Sequence, residues 1–295
     1  MKKNQPIAYL YILPSMLIVF TFSIFPIIFN LGASLTRWRG FQFETAEFVG
    51  LQNYQTIFND HVFIGSLRNY AFFMVLTISL QLALGLIFTV LLSRVVIGKR
   101  VLETFLFLPV VLSTVVIGYT FSQIFEPNFG TLNRFLGSVG LDSLQRTWIG
   151  DPRYAIYTLL IANVYQWAGM GIIYYRAGMS NISKEIYEGA KIDGAGFWQS
   201  FFRITVPLLK HTHQLLILLG IIGCLKFFDL VYIMTRGGPA GATEFPLTYL
   251  YKRFVIESNS GLASAAAVTI IVIAVTLAAI QMKFNERSEK RGEKI

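Results

Sequence analysis

The stretch Ser183-Lys-Glu-Ile-Tyr-Glu-Gly-Ala-Lys-Ile-Asp-Gly-Ala-Gly-Phe-Trp-Gln-Ser-Phe-Phe-Arg-Ile-Thr-Val-Pro207 reads as two short helices joined by a turn. Ser183 offers an N-cap oxygen, and Ile186, Ala190 and Asp193 recur at i, i+4 and i+7 along one face. Gly194 supplies the break, because a residue without a Cβ enters left-handed backbone freely. Phe197, Phe201 and Ile204 then repeat on a second helical face leading into Pro207. Exposed, this hairpin would leave Tyr187, Phe197 and Phe201 wet. Three things are available to cover them: the ends of the chain's own helices, lipid headgroups, or a partner subunit.

Outward from the hairpin the chain is apolar. Of its 295 residues 54% are hydrophobic and only 14% charged, where a soluble domain carries about a quarter charged. A helix crossing a bilayer needs roughly 20 apolar residues. Six blocks reach that length, at about 8–32, 70–92, 103–125, 155–175, 206–234 and 261–282. The pattern predicts an all-α polytopic membrane protein with six transmembrane helices, forming one transmembrane domain over 1–295. Its connecting hairpin falls at about 179–206 and its tail at 283–295. The first block is read as a retained helix, since its run from Ile7 to Phe29 outlasts a signal core and lacks an A-x-A site.

Orientation follows from Lys and Arg. Fifteen fall in the termini, the hairpin loop and the connection holding Arg94, Lys99 and Arg100, against nine in the opposite connections, which places both termini in the cytoplasm. The formal charge of +9 is therefore topological; spread between apolar blocks, it does not form the basic face that a nucleic acid requires. The opposite connections carry Trp38, Tyr54, Asn128, Trp148 and several glycines. These suit short interfacial helices at the lipid headgroups or a docking surface for an external protein.

Within the spans, polar and small residues mark candidate pathway positions. Asn163, Gln166 and Trp167 share one face of the fourth span, and amides beside an aromatic plane suit sugars. Gly220, Cys224 and Phe227 form a stripe in the fifth, where small residues leave room. Helix–helix packing explains both groups equally well. Lys226 and Asp229, at i and i+3, are spaced to pair on one helical face. That makes them either a structural pair or part of a pathway.

Two motifs resemble a known family. Glu188-Gly-Ala-Lys-Ile-Asp-Gly-Ala195, followed by Ile204-Thr-Val-Pro207, resembles the EAA loop (E-A-A-x-x-D-G-A, then I-x-x-P) of permease subunits of binding-protein-dependent ABC importers, with Gly189 where that pattern has its first Ala. Phe228-Asp-Leu-Val-Tyr-Ile-Met-Thr-Arg-Gly-Gly-Pro239, with Thr243, resembles a segment of the carbohydrate-type permeases, including those for maltose and glycerol phosphate. The resemblance implies a multi-pass protein of a prokaryotic inner membrane. Its partners would be a second related permease, two ATPase subunits, an external substrate-binding protein and membrane lipid. It implies that Glu188, Gly189, Ala190, Asp193, Gly194, Ala195, Phe197 and Pro207 form the element gripped by an ATPase, that Asp229 helps hold a bend, and that Gly237, Gly238 and Pro239 make a turn. ATP and Mg would be bound by the partner ATPase, with no cofactor on this chain.

Catalytic readings find little support. No G-x-x-x-x-G-K-[ST] loop occurs; near Gly98-Lys99 the first glycine is replaced by Ser93 and the hydroxyl by Arg100. His211 and His213 are two apart and diverge on a helix, a poor metal pair. An ion-driven transporter would need intraspan carboxylates, and Asp229 is the single candidate. An embedded enzyme would need a nucleophile–base cluster, which three His and one Cys do not provide.

Overall fold

A computed structural model describes residues 5–40, 45–95 and 97–292. Among the described residues the regular structure is helical apart from one two-residue strand pair, Thr36–Arg37 with Glu47–Phe48, and an isolated bridge between Arg39 and Asn259. Its helices are α1 Gln5–Val19, α2 Phe25–Ser34, α3 Gln52–Asn59, α4 His61–Arg94, α5 Lys99–Val111, α6 Thr114–Ile124, α7 Thr131–Ser138, α8 Ala155–Ser180, α9 Lys184–Ile192, α10 Phe197–Ser200, α11 Val206–Leu208, α12 Lys210–Leu225, α13 Asp229–Met234, α14 Pro246–Tyr251 and α15 Ser260–Gly292.

Among the described residues four helical stretches are long and apolar enough to cross a bilayer unbroken, at 11–34, 61–93, 155–180 and 260–285; counting each of two bent pairs as one span brings the number to six. The expected third span bends by 99° between α5 and α6. Its cause is local. Pro109 lacks an N–H and weakens the end of α5, and Ser113 turns extended and accepts from the Val115 N–H, starting a new helix. The expected fifth span is broken twice, by 63° at Leu209 and again at residues 226–228. Two of the three wide, π-helical turns among the described residues, Phe20–Ile24 and Phe201–Thr205, each end two residues before a proline, Pro26 and Pro207; the third, Lys252–Ile256, precedes none. A proline ring collides with the carbonyl four residues back, and widening the preceding turn relieves that collision.

The chain divides into two compact units, residues 1–64 with 246–273, and residues 65–245 with 274–295. In the first, Asn53 Nδ2 donates to the Ser34 and Thr36 carbonyls at 2.8 Å each, tying α3 to the end of α2. Gly261 sits so close to the Thr36 carbonyl that a Cβ would lie 2.2 Å from it. Asp60, ahead of α4, accepts from Tyr249 Oη (2.8 Å) and Arg253 Nη2 (2.7 Å). Burial alone would raise its pKa, but those donors, the Val62 N–H and the Arg253 charge together hold it below the usual carboxylate value.

The second unit is organised around α8. Gly171 meets Gly85 of α4 so closely that a Cβ on Gly85 would stand 2.9 Å from the Gly171 Cα. Gly169 lies under the α5 backbone, where a Cβ would be 2.3 Å from the Leu106 carbonyl oxygen. Small residues let membrane helices approach to backbone contact, and α8 uses them on two sides. An apolar core of Tyr70, Phe73, Ile117, Phe121, Leu159, Leu230 and Phe245 fills the space beside it.

Candidate functional site

The second unit contains a cavity of about 440 Å³, walled by α4, α6, α8, α12, the break at 226–228 and α13. Of the residues proposed from sequence, Asn163, Trp167, Gly220, Cys224, Lys226, Phe227 and Asp229 line it. Asn163 Oδ1 accepts from Gln81 Nε2 of α4 at 3.0 Å, forming an amide couple in the wall. Thr77, one turn before Gln81, also lines the cavity, and its buried hydroxyl has no hydrogen-bond partner among the described residues. Phe227 stacks on Phe73 at 4.8 Å, which fixes one aromatic side.

Three expectations change. Gln166 is 1% exposed and does not line the cavity; its Nε2 donates to the Leu112 carbonyl (3.3 Å) and Thr114 Oγ1 (3.1 Å). It therefore bridges the elbow between α5 and α6, satisfying a carbonyl that the broken helix releases. Gly220 does not simply leave room, since a Cβ there would meet Ile78 Cγ1 at 2.8 Å; it lets α12 approach α4. Lys226 and Asp229 do not form the helical pair that their spacing suggests. The helix ends at Leu225, Lys226 caps it, and Asp229 opens α13, so the intervening residues are not helical. Among the described residues no ion pair joins them, and both charges border the cavity.

Sequence reasoning missed Thr77, Gln81, Thr114 and Tyr174 in the wall. The signal was present for two of them: Thr77 and Gln81 are polar residues at i and i+4 within the largely apolar block 70–92. After α13, Gly237 takes left-handed backbone (φ 84°), and Thr243 Oγ1 donates to the Gly238 carbonyl across the Gly237-Gly-Pro239 turn. Asn69 of α4 secures the same loop by donating to the Gly241 carbonyl at 3.0 Å.

The hairpin forms as its sequence suggests. Ser183 Oγ accepts from the Glu185 N–H at 3.2 Å and starts α9. At the other end Gly194 has φ 79°, its N–H donates to the Lys191 carbonyl (3.1 Å), and the Ala195 N–H reaches back to the Ala190 carbonyl (2.8 Å). That pair of bonds is a Schellman motif, which needs the left-handed residue. Gln199 Oε1 accepts from the Gly196 N–H (3.1 Å), and Tyr187 Oη bonds Thr205 Oγ1 (3.0 Å), clamping the two arms. Glu188, Gly189, Asp193 and Phe197 are exposed, Ala190 and Ala195 are half-buried, and Pro207 is the second residue of α11. Ile192 (87%), Trp198 (66%) and Phe202 (61%) present an uncovered apolar surface.

His213 shares a 2.7 Å hydrogen bond with Tyr175 Oη and contacts the Val206 carbonyl through its other nitrogen. It is a packing histidine. Among the described residues no group of three His, Cys, Asp or Glu is placed to hold a metal.

Broken membrane helices around a mainly apolar cavity with an amide couple in its wall, together with an exposed hairpin, fit a multi-pass transport subunit. Residues 81–290 match the binding-protein-dependent transport system inner membrane component family, and the chain belongs to it. Over 96% of its length it is 37% identical to the probable ABC transporter permease protein YurN of Bacillus subtilis (strain 168), covering 97% of that protein. It is 30% identical to the trehalose/maltose transport system permease protein MalF of Thermococcus litoralis, with 95% and 94% of the two chains covered. It is 32% identical to the lactose transport system permease protein LacF of Rhizobium radiobacter, with 90% of each covered. The fold also matches a crystal structure of a bacterial ABC transporter involved in the import of the acidic polysaccharide alginate. The TM-score is 0.82 at 22% identity, over 95% of each chain.

Proposed function

We propose that this chain is one permease half of an ATP-driven carbohydrate importer. It would line half of the translocation pathway and change access through movements driven by a cytoplasmic ATPase. The observation that carries the reading is the cavity, whose lining includes Trp167, Thr77 and the hydrogen-bonded Gln81–Asn163 amide couple. Sugars present hydroxyls that pair with amides and an apolar ring face that rests on an aromatic plane. MalF and LacF, named for transport of trehalose/maltose and lactose, support the same solute class.

The remaining partners follow from this reading: a second related permease completing the pathway, two ATPases holding ATP and Mg, and an external binding protein. The exposed hairpin is the ATPase contact, with Glu188 and Asp193 facing the partner and Ile192 supplying apolar surface. Both termini lie in the cytoplasm, and residues 1–295 act as one transmembrane domain. The test is uptake of radiolabelled sugars into vesicles carrying the whole complex. Vanadate-sensitive uptake of at least one sugar, lost in Asn163→Leu with Trp167→Ala, supports the proposal. Uptake insensitive to vanadate but abolished by collapsing the ion gradient refutes it.

A further inference from the structure

A smaller pocket of about 70 Å³ lies between the ends of α4, α5 and α8 and shares no lining residue with the larger cavity. Lys99 and Arg176 border it, with Ser93 and Glu103 beside them and Leu92 and Met179 as its apolar floor. Arg176 Nη1 donates to Glu103 Oε1 at 2.6 Å, so one cation is already partnered. Lys99 is half-buried, and among the described residues no acid pairs with it. The wall thus holds two cations and one anion, a surplus of one positive charge.

The pocket's depth is equally informative. Arg176 is four residues from the end of α8 and Lys99 is the first residue of α5, so both lie within about 6 Å of helix ends, at headgroup level. Its volume exceeds a single water's share of about 30 Å³ but is far below that of the sugar cavity. A tetrahedral anion matches that size and charge, and the apolar floor suits the glycerol and first methylenes of a lipid. Basic pockets between membrane helices bind such headgroups.

We propose that this pocket holds the phosphate of an anionic glycerophospholipid, with Lys99 as its principal cation and Arg176 oriented by Glu103 as the second. The bound headgroup bridges α4, α5 and α8 at one membrane boundary. This rests on the membrane placement of the family and is independent of the solute assignment, because its readout is not uptake.

Thermal unfolding of the full-length chain, purified with its associated subunits, tests it in phosphatidylcholine supplemented with phosphatidylglycerol or inorganic phosphate. Phosphatidylglycerol should raise the midpoint, with Lys99→Arg retaining the effect and Lys99→Gln needing about fivefold more lipid. Equal responses in wild type and Lys99→Gln overturn the site. A rise with inorganic phosphate to which phosphatidylglycerol adds nothing overturns the lipid assignment. Should Lys99→Gln not fold, a photoreactive phosphatidylglycerol on the wild-type chain decides: labelling within 89–103 or 172–179 supports the pocket, and labelling only outside both stretches refutes it.

Discussion

The hairpin and the cavity, both within one compact unit, are built on opposite principles. The hairpin is local: every bond that shapes it joins residues within about twenty positions, from the Ser183 cap to the Gly194 turn and the Tyr187–Thr205 clamp. The cavity is assembled at a distance, with Gln81 bonded to Asn163 and Gln166 reaching back to Leu112 across more than fifty residues. Local structure tolerates change and keeps its shape while uncovered. Structure made between helices depends on close backbone approach, so single atoms matter more there.

The strongest challenge to that contrast is Gly169→Val. Its Cβ would fall 2.3 Å from the Leu106 carbonyl, and the cost should reach or exceed ~3 kcal/mol, visible as loss of monodisperse protein on size exclusion. Normal yield and melting would show that α5 and α8 need not touch.

Next comes Gln166→Leu, which strips a donor from the Leu112 carbonyl and should cost about 1–2 kcal/mol in unfolding experiments. If stability instead holds while the sugar KM rises, Gln166 contacts solute after all. Gly194→Val forces a β-branched residue into left-handed backbone at about 1–2 kcal/mol, confined to the hairpin. The expected result is a folded complex whose ATP hydrolysis no longer drives uptake, read as the ratio of the two rates. Intact coupling would remove the hairpin from its assigned role. Smallest is Gly189→Ala, with open space around the site. It should steady α9 by roughly 0.5–1 kcal/mol, seen as slower amide exchange there with uptake unchanged.

The same division explains what was legible in the sequence. Six apolar blocks and the hairpin could be read because each is a property of neighbouring residues. The elbows at Ser113 and at 226–228 were hidden, because a hydropathy run does not register a change of direction; Pro109 with Ser113 was the available clue. Periodicity placed Gln166 on the same face as Asn163 without saying that α6 would occupy its side of that face. Lys226 and Asp229 were paired by a helical rule that fails once the helix stops at Leu225.

The touching backbones of Gly85 and Gly171 restrict how such a molecule can open. Two rods in contact at that closeness cannot slide without one riding over the other's main chain, so α4 and α8 travel as a single strut. Bending at the joints, at Ser113, Leu209 and 226–228, leaves that contact untouched, because the helices are interrupted there.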